Sequence, residues 1–245
     1  MPLKKKHVWI LVVCALLCAG LTGGLFFFRA CGSDERAPAG IPENSADTFT
    51  FFEIGPRTKL TESVREGLES LLGNCGVETR TTIDLTLPGV DDFAGTFPRL
   101  ETLHRMFNYL PRQRVEHDTL RLTYRYARRK NVPFDRIRLV FSGRHSTPLF
   151  FSLYSKRDGA DFVETIRRKY GPPQTIGRDD SPERTLYWQK EDALLIISIT
   201  RNRIGFDEYN FGIYYLDNLT ALADAEKEAR EKAAREKEKT GEMAF

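Results

Sequence analysis

The chain has 245 residues, of which 41% are hydrophobic and 29% charged, which excludes the disordered and low-complexity classes and is typical of a globular protein. This length can bury a core of its own, in one domain or in two small ones. The formal net charge is only +3, but residues 99–170 carry 17 Lys or Arg against 7 Asp or Glu, so positive charge is concentrated in the middle of the chain.

Residues 8–28 form a largely apolar stretch of 21 residues without a charged residue or a proline. As a helix it would be about 32 Å long, close to the roughly 30 Å thickness of a bilayer's hydrocarbon core. Lys4, Lys5 and Lys6 precede the stretch, and positively charged flanks stay in the cytoplasm. We therefore expect a single-pass anchor (residues 1–32) in contact with membrane lipid. The N-terminus would be cytoplasmic and the rest extracytoplasmic, which in a bacterium is the periplasm.

Two other interpretations of the N-terminus stay open. A cleaved signal peptide would be processed near Ala37-Pro38-Ala39, and a lipoprotein would be modified at Cys31. The length of the apolar stretch favours the uncleaved span, because the apolar region of a signal peptide is usually about 7–15 residues. If the domain lies outside the cytoplasm, Cys31 and Cys75 could form a disulfide, because that compartment is oxidising. The alternative is that they are two separate thiols.

The first part of the folded domain follows a polar linker at residues 33–47, which is rich in turn-forming residues. We predict a strand at 48–54, a helix at 60–72 with Leu and Val at helical spacing, and an alternating strand at 77–87. A second helix is expected at residues 98–110, opened and closed by prolines. The domain would span residues 48–217, with a division into subdomains at 48–114 and 115–217 as an option.

Two strongly alternating strands, at residues 119–127 and 135–142, predict a hairpin with one apolar and one basic face. The apolar face would carry Leu120, Leu122, Tyr124, Ile137 and Leu139, and the basic face Arg121, Arg125, Arg136 and Arg138. The connecting loop adds Arg128, Arg129 and Lys130. This basic face is the predicted site for an anionic partner, such as anionic lipid headgroups. Nucleic acid is not expected, because the charges are not interleaved with aromatic residues, and charges that only keep the sheet soluble are the alternative.

The rest of the chain predicts a strand at 148–156, a helix at 159–170 and three more strands, of which 193–199 is apolar on both faces and therefore central. The expected fold is α+β, a mixed or antiparallel sheet with helices on one face. Residues 218–245 are rich in Ala, Glu, Lys and Arg, which predicts a charged helix. Since its apolar side is mostly alanine, truncation after Ala225 should barely change stability.

No motif for a known reaction, cofactor or metal is present in the sequence. The triplet Glu116-His117-Asp118 does not form a catalytic set, because neighbours on a strand point to opposite faces. We therefore expect a non-enzymatic binding or assembly module, with a protein partner in the cell envelope and no cofactor. The alternative is a hydrolase or transferase whose site is assembled from residues distant in sequence.

Overall fold

Eight antiparallel strands form one continuous sheet. The structure, a computed structural model, describes residues 48–110, 112–156, 158–177 and 183–244. The strands are β1 (Gly76–Thr81), β2 (His117–Tyr124), β3 (Arg136–Ser142), β4 (Pro148–Ser155), β5 (Gln174–Ile176), β6 (Arg184–Gln189), β7 (Ala193–Arg201) and β8 (Asp207–Tyr215). Their spatial order is β1-β2-β3-β4-β8-β7-β6-β5. The predicted α+β class with an antiparallel sheet is confirmed.

The predicted membrane span at residues 8–28, the linker and Cys31 lie outside the described residues. Within the part of the chain that the structure describes, no helix is both long enough and apolar enough to cross a bilayer.

Helices cover both faces of the sheet, not one face as predicted. They are α1 (Glu62–Leu72), α2 (Phe93–Thr96), α3 (Pro98–Phe107), α4 (Gly159–Tyr170) and α5 (Leu216–Ala244). The first face packs against α1 and α4, and the second face packs against α3 and the start of α5. The reason lies in the central strands: Leu195 and Ile197 of β7 enter the first core, while Leu194 and Ile196 enter the second. A strand that is apolar on both sides requires cover on both sides.

The predicted strand at residues 48–54 is wrong, because this segment folds as a turn. Phe51 and Ile54 pair with each other in an isolated bridge, and Phe52 adopts a positive φ of 46°. The turn is fixed to the sheet by Tyr215, whose hydroxyl donates to the carbonyls of Phe49 and Ile54 at 3.2 and 3.1 Å. The segment thus covers one edge of the first core.

The predicted strand at residues 77–87 is only half correct. Pairing with β2 ends at Thr81, after an irregularity in the register. The chain then stays extended but leaves the sheet, and Ile83, Leu85 and Leu87 insert into the second core. The alternation of side chains is therefore real, although it serves an extended segment that lies over the sheet instead of a strand within it.

Helix α5 has a buried beginning and a solvated remainder. Leu219, Leu222 and Ala223 belong to the second core, whereas residues 231–240 are exposed. Between these two parts, Glu226 contacts the sheet: its Oε2 lies 2.7 Å from Nδ1 of His117, whose side chain is 1% exposed. The helix is consequently attached for about one turn more than the sequence predicted.

Candidate functional site

Three of the predicted arginines surround one concavity on the second face of the sheet, with a volume of about 330 Å³. We call this concavity the arginine pocket. One wall consists of Arg121 on β2 with Arg136 and Arg138 on β3. The opposite wall is the extended segment 82–88. The floor is formed by Val140, Phe150, Ser152, Asn210 and Tyr214.

The strand register explains why these residues meet. Arg138 pairs with Ser152, which in turn pairs with Gly212 on β8. Side chains in such a cross-strand row point to the same face. Gly212 has no side chain in this row, and a Cβ on Gly212 would lie only 2.5 Å from Cε2 of Tyr214. The tyrosine ring therefore lies over the glycine and forms part of the pocket floor.

The opposite wall is held by hydrogen bonds of its own. Ser198 on β7 donates from Oγ to the carbonyl of Pro88 at 2.5 Å, which fixes the end of the segment over the sheet. Asp84 brings a carboxylate to this wall, and its Oδ1 accepts hydrogen bonds from the backbone N–H and the hydroxyl of Thr86 at 3.0 and 2.7 Å. Three arginines facing one aspartate leave the lining with an excess of positive charge.

Within the described structure, two of the three arginines have no carboxylate partner. Arg121 donates to Glu78, directly opposite on β1, and this bond lowers the pKa of Glu78. Among the described residues, no ion pair involves Arg136 or Arg138. Partial burial, followed by repulsion from Arg136 and Arg121, lowers the pKa of Arg138. A negative charge bound here would relieve that repulsion.

Arg136 and Arg121 have further features suited to ligand binding. The guanidinium carbon of Arg136 lies 5.4 Å from the centre of the Tyr154 ring, a contact that orients the side chain. The Nε of Arg121 is buried and donates no hydrogen bond within the described structure. Because buried donors are normally paired, this group is a candidate donor to a ligand.

The other predicted basic residues lie apart from the pocket. Arg125 follows the end of β2 and is exposed. Arg128 forms ion pairs with Asp135 at 2.8 Å and with Asp158 at 3.0 Å. These contacts hold the short 3₁₀ helix Ala127–Lys130, whose Ala127 enters the first core. The loop therefore does not extend the basic wall of the pocket.

Arg129 and Lys130 are exposed in the same loop. The guanidinium of Arg129 lies 4.7 Å from the ring centre of Tyr126. Neither residue lines the arginine pocket, so they serve as natural controls for the charge of the chain.

Cys75, the described member of the candidate disulfide pair, is partly buried, packs against the first core and forms no disulfide with another described residue. Its proposed partner Cys31 is not among the described residues, so the disulfide stays a prediction. No group of His, Cys, Asp or Glu within the described chain is arranged to hold a metal ion. His117 has a structural environment, since its ring packs edge-on against Phe107 at 5.0 Å and binds Glu226.

Sequence reasoning found the basic wall but missed the rest of the pocket. Ser152 on β4 and Asn210 on β8 are polar residues on this face of the sheet, and Gly212 interrupts an aromatic-rich strand. These irregularities were the available signal. Asp84 could not be placed, because its segment leaves the sheet and returns over the second face.

No family model, no curated protein and no solved structure matches the chain. The chemistry of the site must therefore be read from its residues. The planar guanidinium groups suit a carboxylate or a phosphate, and the hydroxyl and amide of the floor can add hydrogen bonds. No histidine, cysteine or lysine is among the described lining residues, and the carboxylate of Asp84 is engaged by Thr86. The arrangement is suited to holding an anion.

Proposed function

We propose that this chain is a membrane-tethered extracytoplasmic binding module, without catalytic activity, that captures an acidic protein partner at the arginine pocket. The observation that carries the proposal is the pair Arg136 and Arg138, which line a concave site and form no ion pair with any carboxylate that the structure describes. An acidic side chain entering the pocket would supply that partner.

A protein partner is favoured over a lipid headgroup because the pocket is selective in shape. Arg136 is oriented by Tyr154, and the floor offers Ser152 and Asn210 as hydrogen-bonding groups. A polybasic surface that meets anionic lipid works by charge density alone and needs no such floor. The cellular setting of the proposal rests on residues 8–28 and the three preceding lysines, which support a single span with the domain outside the cytoplasm.

The binding experiment uses the fragment from Thr48 onward and fluorescent peptides that differ only in Glu against Gln. We expect the Glu peptide to bind and the Gln peptide to fail, with affinity falling as salt is raised. Changing both Arg136 and Arg138 to Gln removes two exposed charge contacts of about 1 kcal/mol each, which predicts about thirtyfold weaker binding.

The matched control removes the same charge elsewhere. Arg129→Gln with Lys130→Gln also lowers the net charge by two but leaves the pocket intact, and it should keep at least half of the affinity. Equal losses in both double variants would show that only overall charge matters. Binding to anionic vesicles but not to the Glu peptide would replace the protein partner with a lipid one.

If the chain were an enzyme, the same pocket would have to supply a group that takes part in the reaction. A hydrolase or transferase would need a proton-transferring group beside the anion, and Asp84 is the one carboxylate among the described lining residues. Thr86 engages its Oδ1. Asp84→Asn should leave peptide binding intact or strengthen it, since it removes the negative charge of the lining. Loss of a chemical conversion in that variant would instead establish catalysis.

A further inference from the structure

A second cavity, on the opposite face of the sheet, reaches into the first core. It has a volume of about 390 Å³, and we call it the apolar cavity. Its inner end is formed by Leu153, Leu195, Phe211 and Ile213 of the central strands β4, β7 and β8. Helix α4 borders one side, and the turn Phe49–Phe52 and the loop 131–134 border the other.

The apolar cavity opens to the surface, and its volume is large compared with the gaps found inside protein cores. Protein cores are packed nearly as densely as organic crystals, and an engineered apolar cavity of about 150 Å³ is already large enough to bind benzene. Small-molecule sites fall in the range of about 300–1,000 Å³. The volume is therefore that of a ligand site and exceeds a packing defect.

The gap exists because two irregular segments cover this part of the sheet. Phe52 and Glu53 both have positive φ angles, 46° and 66°, a strained conformation for residues other than glycine. The turn is held by ring contacts, with Phe51 at 4.7 Å from Phe52 and 6.0 Å from Phe134. This side of the cavity is therefore bordered by irregular segments with aromatic side chains and not by a helix.

The polarity of the apolar cavity changes from its inner end to its mouth. The inner lining is aliphatic and aromatic, whereas the polar residues among the described lining are Thr50, Asn131, Thr165 and Lys169, all toward the outer rim. Nζ of Lys169 lies 3.5 Å from Oγ1 of Thr50 and 5.0 Å from the ring centre of Tyr170. No ion pair between described residues involves Lys169, so a cation at the mouth is available to an anionic group.

We propose that the apolar cavity binds a single-chain carboxylate amphiphile, a free fatty acid, with its aliphatic chain against the central strands and its carboxylate at Lys169. An apolar chain matches the inner lining, since it needs no hydrogen-bond partner there. A carboxylate matches the mouth, where Lys169 and the hydroxyl of Thr50 can both donate. A neutral hydrocarbon would leave this polar rim unused, and a two-chain lipid needs a second channel.

The test uses the full chain in lipid nanodiscs and hexadecanoic acid that carries a photoreactive diazirine near its terminal methyl group. After illumination, digestion and mass spectrometry locate the label. We expect it on the turn 49–52, on α4 or on the central strands, and excess unlabelled hexadecanoic acid should remove it.

Two exposed positions on α4 provide a matched pair of variants. Thr165→Trp places a large ring at the mouth and should lower labelling at least tenfold. Ala160→Trp places the same ring on an exposed position that does not line the cavity, and it should label within twofold of the unaltered chain. Thr50→Trp narrows the mouth from the other wall and replaces Thr165→Trp if that variant has a lowered melting temperature.

The role of Lys169 is tested by competition. Hexadecanoic acid should compete about two- to fivefold better than hexadecanol, the gain typical of an exposed charge pair. Lys169→Gln should abolish that difference and Lys169→Arg should restore it.

Equal labelling of the Thr165→Trp and Ala160→Trp variants, or label only outside the cavity lining, would overturn the proposal. So would labelling that occurs only after residues 1–47 are removed, because the chain's own N-terminal segment would then be the occupant. Preferential labelling by a photoreactive two-chain phospholipid would also overturn it.

Discussion

Truncation of helix α5 at two neighbouring positions should affect the stability of the domain differently: the longer deletion should lower the melting temperature, and the shorter one should leave it unchanged. Cutting after Ala225 keeps the buried Leu219 and Leu222 but removes Glu226. Cutting after Arg230 keeps Glu226 as well. The sequence alone predicts that truncation after Ala225 is harmless, because the helix beyond Leu222 has only alanine on its apolar side.

The contact between Glu226 and His117 changes that expectation. Besides the 2.7 Å contact with Nδ1 of His117, Glu226 accepts from the backbone N–H of Asp118 through Oε1 at 3.3 Å. Cutting after Ala225 leaves Nδ1 of a buried ring without a partner, and an unmade buried hydrogen bond costs about 1–3 kcal/mol. For a domain of this size, each kcal/mol corresponds to about 2–4 °C in melting temperature. The predicted drop is thus about 2–12 °C.

Thermal unfolding followed by circular dichroism checks this directly, with the uncut chain, both truncations and Glu226→Gln compared under the same conditions. The truncation after Arg230 should melt within about a degree of the uncut chain. Glu226→Gln retains one side-chain oxygen as an acceptor and should fall between the two truncations. Equal melting temperatures for both truncations would refute the structural role of Glu226.

Three further predictions follow from the same structure. Gly212→Ala should lower stability by about 1–3 kcal/mol in a denaturant titration, because its Cβ would lie 2.5 Å from the ring of Tyr214; an unchanged midpoint would show that the ring moves at no cost. Burial, followed by a hydrogen bond to Glu208, raises the pKa of Tyr154 to about 12. Stability from Tyr154 is therefore complete below its ordinary pKa near 10 and is lost as pH rises through 12; tyrosinate absorbance that is complete before unfolding begins would contradict this. Protease added to intact cells or spheroplasts should digest residues 48–245, and a protected domain would refute the predicted orientation.

Local signals predicted the helices α1 and α4 well. The predicted helix at residues 159–170 has the same bounds as α4. Its end is set by Gly171, which adopts a positive φ of 86°, a conformation that glycine adopts without strain. Thr61 caps α1 through a hydrogen bond from the N–H of Val64 at 3.3 Å, and Gly73 ends it. Caps and spacing are written in adjacent residues, so they can be read without tertiary structure.

Long-range pairing could not be read in the same way. Residues 77–87 alternate throughout, but alternation reports an extended chain and not a hydrogen-bonded neighbour. The strand ends at Thr81 and the segment beyond it becomes a wall of the arginine pocket. Likewise, Ser152 and Asn210 join the arginines only because β4 pairs with β3 on one side and with β8 on the other. The sequence therefore predicted the arginine-bearing wall of the pocket, whereas its floor and opposite wall depend on the strand order and on where the segment beyond Thr81 leaves the sheet.

The most direct test of the arginine pocket is nuclear magnetic resonance of the arginine Nε–Hε groups during titration with the Glu peptide. We expect saturable shifts of Arg121, Arg136 and Arg138, while Arg128, held between Asp135 and Asp158, stays unchanged. Shifts that are confined to the loop arginines, or that grow without saturation on all arginines, would contradict a site on the second face of the sheet.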